Sequence, residues 1–100
     1  MSTNIPASAY LSGPYFHLGA VVQTAAVSAR LPAREVAHAL ARHMAKDWGD
    51  LCEDDKRAND NALRYGDRLF SVYHSSKNEK FYIITEWDRS ATTILFPEEY

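Results

Sequence analysis

The chain has 100 residues, of which 46% are hydrophobic and 24% charged, and its formal net charge is −2. A chain of this size buries roughly two-thirds of its unfolded surface, enough for one ordinary globular domain without cross-links. The mild acidity argues against broad binding to phosphate backbones, which needs a basic face, and is too slight for a nucleic-acid mimic. A single cysteine, Cys52, excludes an internal disulfide and agrees with a reducing compartment. No apolar run reaches the ~20 residues of a membrane span. The opening MSTNIPASAY lacks the basic region and apolar block of a secretory signal. The expectation is a cytoplasmic protein with no membrane partner.

Residues 1–14 are rich in Ser, Pro, Asn and Gly, with Pro6 and Gly13-Pro14 as breakers. They read as a flexible N-terminal arm ahead of a single domain over residues 15–100. From Tyr15 to Thr24, alternating Phe16, Leu18, Ala20 and Val22 suggest a strand. Gly19 within it marks a bulge or a close backbone approach. The Ala-rich AVVQTAAVSA also permits a helix in this region.

Leu31-Pro32 opens the best helix, because proline at the first helical position loses no hydrogen bond. Val36, Ala37, Leu40, Ala41 and Met44 form an apolar stripe at helical spacing. With Gly49 just past its end, the helix is expected to run to Asp47 or Trp48, Trp48 plugging the core at the turn. A second helix over Glu53–Tyr65 carries three acids in its first turn and stops at Gly66. Its apolar face is thin, built from Leu51, Ala58, Ala62 and Tyr65 with Leu63 at the edge, so it belongs on the surface.

Arg68–His74 reads as a strand, followed by the polar loop Ser75–Glu79. Phe81–Glu86 and Ala91–Phe96 are β-branched and aromatic runs flanking Asp88-Arg89-Ser90, the pattern of a hairpin. Phe81, Ile83, Thr85 and Trp87 share one face, and Tyr82, Ile84 and Glu86 the other. The predicted architecture is α+β: a three- to four-stranded antiparallel sheet with two helices packed on one face, in the order β-α-α-β-β-β. Were the last strand at the sheet edge, the closing PEEY would discourage stray pairing.

Several side chains could carry chemistry, each with a plainer alternative. His43 and Asp47 lie four apart on one helix side, where a carboxylate could orient an imidazole for acid–base work. A surface pair near a helix C-terminus is the commoner meaning of that spacing. Glu86, Asp88 and Arg89 at the hairpin could supply a base and a phosphate clamp, joined by Arg64 and Arg68. Turn residues and a cross-strand ion pair explain them equally well. Thr92 and Thr93 alternate outward and inward, and either hydroxyl could meet a ligand, though β-propensity alone explains both. Cys52 could be a reactive thiol at a helix N-terminus, but a small, partly buried side chain is the more ordinary role. The four histidines show no metal-ligand spacing, and His38 and His43 point to different sides of their helix. No cofactor or metal motif is present.

The run from His43 through Asp47–Asp50 (DWGD), Asp55, Asn59, Ala62-Leu63 and IITEWDRSATTILFPEEY resembles small uncharacterised plasmid-related proteins of bacterial plasmids and integrative elements. The likeness covers roughly residues 40–100 and implies a bacterial, mobile-element setting, with no catalytic residues to carry over. A weaker, fold-level likeness is to the barnase–colicin–RelE ribonucleases, which set helices before a four-stranded antiparallel sheet. Under that analogy His43, Glu86, Arg89 and Thr93 would be the catalytic set of a small metal-independent endoribonuclease or toxin, with Arg64 and Arg68 assisting.

Three functions follow as expectations. The first is a non-enzymatic binder or inhibitor of a macromolecular partner, such as a component of a bacterial defence system. Its contacts would be Arg64, Arg68, Trp87, Asp88 and Arg89. The second is the ribonuclease, although the charge does not favour nucleic acid. The third is a structural homodimer joined through Phe96 or Tyr100.

Overall fold

Strand-forming residues from both ends of the chain meet in one four-stranded sheet: β1 (Ala20–Gln23), β2 (Leu69–His74), β3 (Lys80–Thr85) and β4 (Ala91–Leu95), in the order β1-β4-β3-β2. These elements come from a computed structural model that describes residues 15–100, so the expected arm lies outside the described residues. The antiparallel meander β2-β3-β4 forms as the alternation predicts, with Tyr73 opposite Phe81 and Ile83 opposite Ile94. β1 departs from expectation: it runs parallel to β4, Ala20 opposite Ala91 and Gln23 opposite Ile94. The sheet is therefore mixed, not purely antiparallel.

Gly19 shows how β1 is admitted. It holds φ +68, and a Cβ on it would lie 2.3 Å from the Ser90 carbonyl. The chain slips past the β3–β4 turn there, and the Ala20 N–H then donates to the Ser90 carbonyl at 2.9 Å. β4 is thus an interior strand, and Pro97–Glu99 continue from it as a 3₁₀ turn. The closing PEEY guards no edge.

Three helices, not two, connect β1 to β2: α1 (Ala25–Arg30), α2 (Ala33–Met44) and α3 (Glu53–Tyr65). Both readings of the Ala-rich stretch hold in succession, since the strand ends and Thr24 caps a six-residue helix by accepting from the Val27 N–H at 3.1 Å. α2 stops earlier than Gly49 suggests. Lys46 takes the left-handed position at φ 66, and the Asp47 N–H reaches back to the Arg42 carbonyl at 2.9 Å. Pro32 stands just before the first helical residue instead of within the helix. α3 has the predicted limits, closed by Gly66 at φ 78.

The buried stripe of α2 is rotated from the expected one. Val36, Ala39, Leu40 and His43 face inward, whereas Ala37 and Ala41 are exposed. They pack with Val27, Leu31 and Trp48 against the inner sheet face of Leu69, Tyr73, Phe81, Ile83 and Ile94. α3 buries only Asn59 and Ala62, so it is the surface helix its composition predicts, although Ala58 and Tyr65 turn outward.

The outer flank of β2 is sealed by other parts of the chain. Val72 N–H donates to the Trp48 carbonyl at 3.1 Å, and Asp50 N–H donates to the Val72 carbonyl at 2.8 Å. Gly49 has to pass so close that a Cβ would sit 1.9 Å from the Val72 carbonyl oxygen. One step along, the Asn59 amide accepts from the Phe70 N–H at 3.0 Å and donates to its carbonyl at 2.7 Å. A side chain here substitutes for a neighbouring strand. Among the described residues no helix is long and apolar enough to cross a membrane.

Candidate functional site

His43 is not a surface acid–base group. Its side chain is fully buried between Phe16 and Trp48, which meet it edge-on at 5.4 and 5.6 Å. Asp47 does not pair with it either, because that carboxylate is bound by Arg42 at 2.7 and 3.2 Å. His43 belongs instead to a chain of hydroxyls through the core. Nδ1 lies 2.6 Å from Ser71 Oγ, Nε2 2.9 Å from Thr85 Oγ1, and Thr85 Oγ1 2.7 Å from Thr92 Oγ1.

The direction of every proton in this chain follows from its far end. Thr92 donates its only hydroxyl proton to the Leu18 carbonyl at 2.7 Å. Thr85 must then donate to Thr92, His43 Nε2–H to Thr85, and Ser71 to His43 Nδ1. The ring is neutral in this arrangement. Burial, followed by the nearby Arg89 charge, pushes its pKa down to about 3. Among the described residues no buried side-chain nitrogen or oxygen lacks a partner.

Arg89 is equally committed to structure. Its Nη1 donates to the carbonyls of Asp67 (2.6 Å), Glu86 (3.0 Å) and Trp87 (3.3 Å), and Nη2 to that of Ala62 (3.2 Å). It ties the β3–β4 turn to the last turn of α3, where a positive charge also suits the helix dipole. Burial lowers the guanidinium's pKa. Asp88 accepts from the Ser90 N–H at 3.0 Å, Glu86 pairs with Arg68 at 3.5 Å, and Arg64 is exposed on α3.

Thr92 faces the core and Thr93 the opposite side of the sheet, the reverse of the expected alternation. His43 and Thr93 therefore lie on opposite faces. The four residues of the nuclease analogy are not gathered into one cleft, and Arg89 already faces four carbonyls. Cys52 is exposed, not partly buried. Phe96 is buried beneath the Arg30 guanidinium, 3.8 Å from its ring centre, so it offers no contact to another copy.

What the sheet does present is its outer face. Val22, Thr93, Ile84 and Phe70 align across all four strands, and Leu95, Tyr82 and Val72 across three. Val72, Ile84 and Leu95 are buried yet stand apart from the core that contains the helices. The same face carries an aromatic group. Phe70 and Tyr82 meet at 4.7 Å, and the 3₁₀ turn brings Tyr100 to 6.3 Å from Phe70 and 6.0 Å from Tyr82. With Arg68 and Ile84 these three line a depression of about 300 Å³. Arg68 donates to the Tyr100 hydroxyl at 3.4 Å and lies over its ring. Tyr100 remains 68% exposed, and Trp87 is 64% exposed at the turn.

Of the expected contact residues, Arg68 lines this surface while Trp87 and Asp88 sit at the β3–β4 turn. Phe70, Tyr82 and Tyr100 escaped the sequence reading as a group, although Phe70, Tyr82 and Ile84 share one strand parity, a signal that was available. No family model, curated protein or solved structure matches this chain.

Proposed function

We propose that this protein is a non-enzymatic binding module that engages a protein partner through the outer sheet face. The observation that carries this reading is the aromatic cluster of Phe70, Tyr82 and Tyr100 around an apolar depression, with Arg68 at its rim. Aromatic and arginine side chains are the usual anchors of protein interfaces, because they offer large rigid contact area with a polar handle. The bacterial mobile-element setting implied by the sequence resemblance suits a partner from the host or the element, such as a defence-system component. The internal use of His43 and Arg89 weakens the ribonuclease alternative.

The test is affinity capture with the intact chain against a Tyr82→Ser/Tyr100→Ser double variant, both checked by circular dichroism. A stoichiometric protein retained by the wild type and lost by the folded double variant is the expected result. Equal retention by both, or recovery of RNA fragments in place of a protein, would overturn it.

A further inference from the structure

A second and larger depression, of about 490 Å³, lies between α2 and the β2–β3 hairpin. α2 presents Arg34, His38 and Arg42 to it at successive four-residue steps, and β2 contributes His74. Residues four apart on a helix are neighbours, so the three side chains stand in one line along the groove. Arg34 stands in the first turn as well, where the dipole disfavours positive charge. A local arrangement that opposes stability is the kind of feature a ligand site explains.

Of the acidic groups nearby, Asp47 pairs with Arg42 and Glu35 feels the Arg34 charge, but none bonds Arg34 or His38. Glu35 turns to Ser76 and accepts from its N–H at 2.9 Å and its hydroxyl at 2.7 Å, which holds the carboxyl below its ordinary range. Asp47 occupies Nε and Nη2 of Arg42, which leaves the Nη1 donors. Asp50 meets His74 at 2.9 Å through Nε2. Arg34 and His38 have no hydrogen bond or ion pair among the described residues.

We propose that this groove binds a phosphate-bearing ligand, its anion seated among Arg34, His38 and Arg42. Guanidinium forks match phosphate oxygens in pairs, and imidazole adds a donor from the same helix face. The volume falls within the roughly 300–1,000 Å³ of small-molecule sites. Inorganic phosphate and the phosphate of a mononucleotide share the required chemistry. This site is independent of the outer-face reading, since the sheet lies between them.

The experiment is thermal unfolding and isothermal titration of the intact chain near neutral pH. The probes are sodium phosphate, adenosine monophosphate and sodium chloride at matched ionic strength. Phosphate and the nucleotide should each raise the wild-type melting temperature by several degrees where sodium chloride does not. Tighter binding of the nucleotide assigns the site to nucleotides, and equal binding assigns it to the phosphate group alone. An Arg34→Gln/His38→Gln variant should bind at least tenfold more weakly. It should also melt no lower than the wild type without ligand, because a positive charge leaves the first turn of α2 and neither side chain is bonded to the rest of the described chain. A response that sodium chloride reproduces, or one the double variant retains, would overturn the site.

Discussion

The two faces of the sheet differ in what they hold among their apolar side chains. The helix-covered face buries Ser71, Thr85 and Thr92 with His43, and satisfies them through one continuous run of hydrogen bonds. The other face, which no helix of the described chain covers, carries Phe70, Tyr82, Ile84, Leu95 and Tyr100. The polar groups are embedded on the helix-covered face among Leu69, Tyr73, Phe81, Ile83 and Ile94. A buried polar group costs little when fully bonded, while an exposed aromatic cluster is what a partner surface requires. The inner face holds the helices to the sheet, and the outer face is the one proposed to meet a partner.

His43→Leu should sharpen that division most. It leaves the Ser71 donor without an acceptor and removes the donor to Thr85, a loss of about 2–4 kcal/mol at the usual cost of buried unsatisfied groups. Urea midpoints of the two proteins measure it. An effect near zero would mean the polar chain contributes nothing to the fold.

Acid should act through the same residue. In the unfolded chain the ring takes its proton in the ordinary histidine range, and in the folded protein it resists until about pH 3. The unfolded state binds more protons across that interval, so stability is full above it and falls as pH drops, by up to about 1.4 kcal/mol per unit. Below the folded value the loss levels off. Asp47, bound by Arg42, and Asp50, bound by His74, have lowered values and add losses of the same sign at lower pH. Denaturation at a series of pH values should show a slope below the histidine range that His43→Leu flattens.

Arg89→Met comes next, at about 1–3 kcal/mol, since four carbonyls lose a charged donor near the surface. Hydrogen exchange should quicken in the last turn of α3, and Arg89→Lys should restore only part, because one ammonium cannot span the turn and the helix. The smallest effect on stability belongs to the outer face. Tyr100→Ser should change it by no more than about 0.5 kcal/mol, as for other exposed positions. Should Tyr100→Ser destabilise as much as His43→Leu, the contrast between the faces fails.

Much of the fold was legible because it is local. The limits of α3, the meander and the parity of β3 follow from periodicity, an acidic first turn and Gly66. Long-range contacts were not legible. The direction of β1 depends on Gly19 meeting Ser90, and the inward turn of Asn59 depends on Phe70, residues far apart in the chain. The burial of His43 did leave a trace, since it falls seven residues after Val36 and three after Leu40, in register with the core stripe. Its imidazole made it look like a surface group. Arg89 left no such trace, because an arginine in a hairpin turn reads alike whether it meets a ligand or four carbonyls.

The plug that Trp48–Asp50 and Asn59 set against β2 bears on how copies of the molecule can associate. Ribbon-to-ribbon growth needs a vacant flank on each side of every unit, and here one side is filled by the chain itself. Among the described residues strand addition can proceed only beside the short β1, so an endless cross-linked filament finds no second surface there on which to propagate.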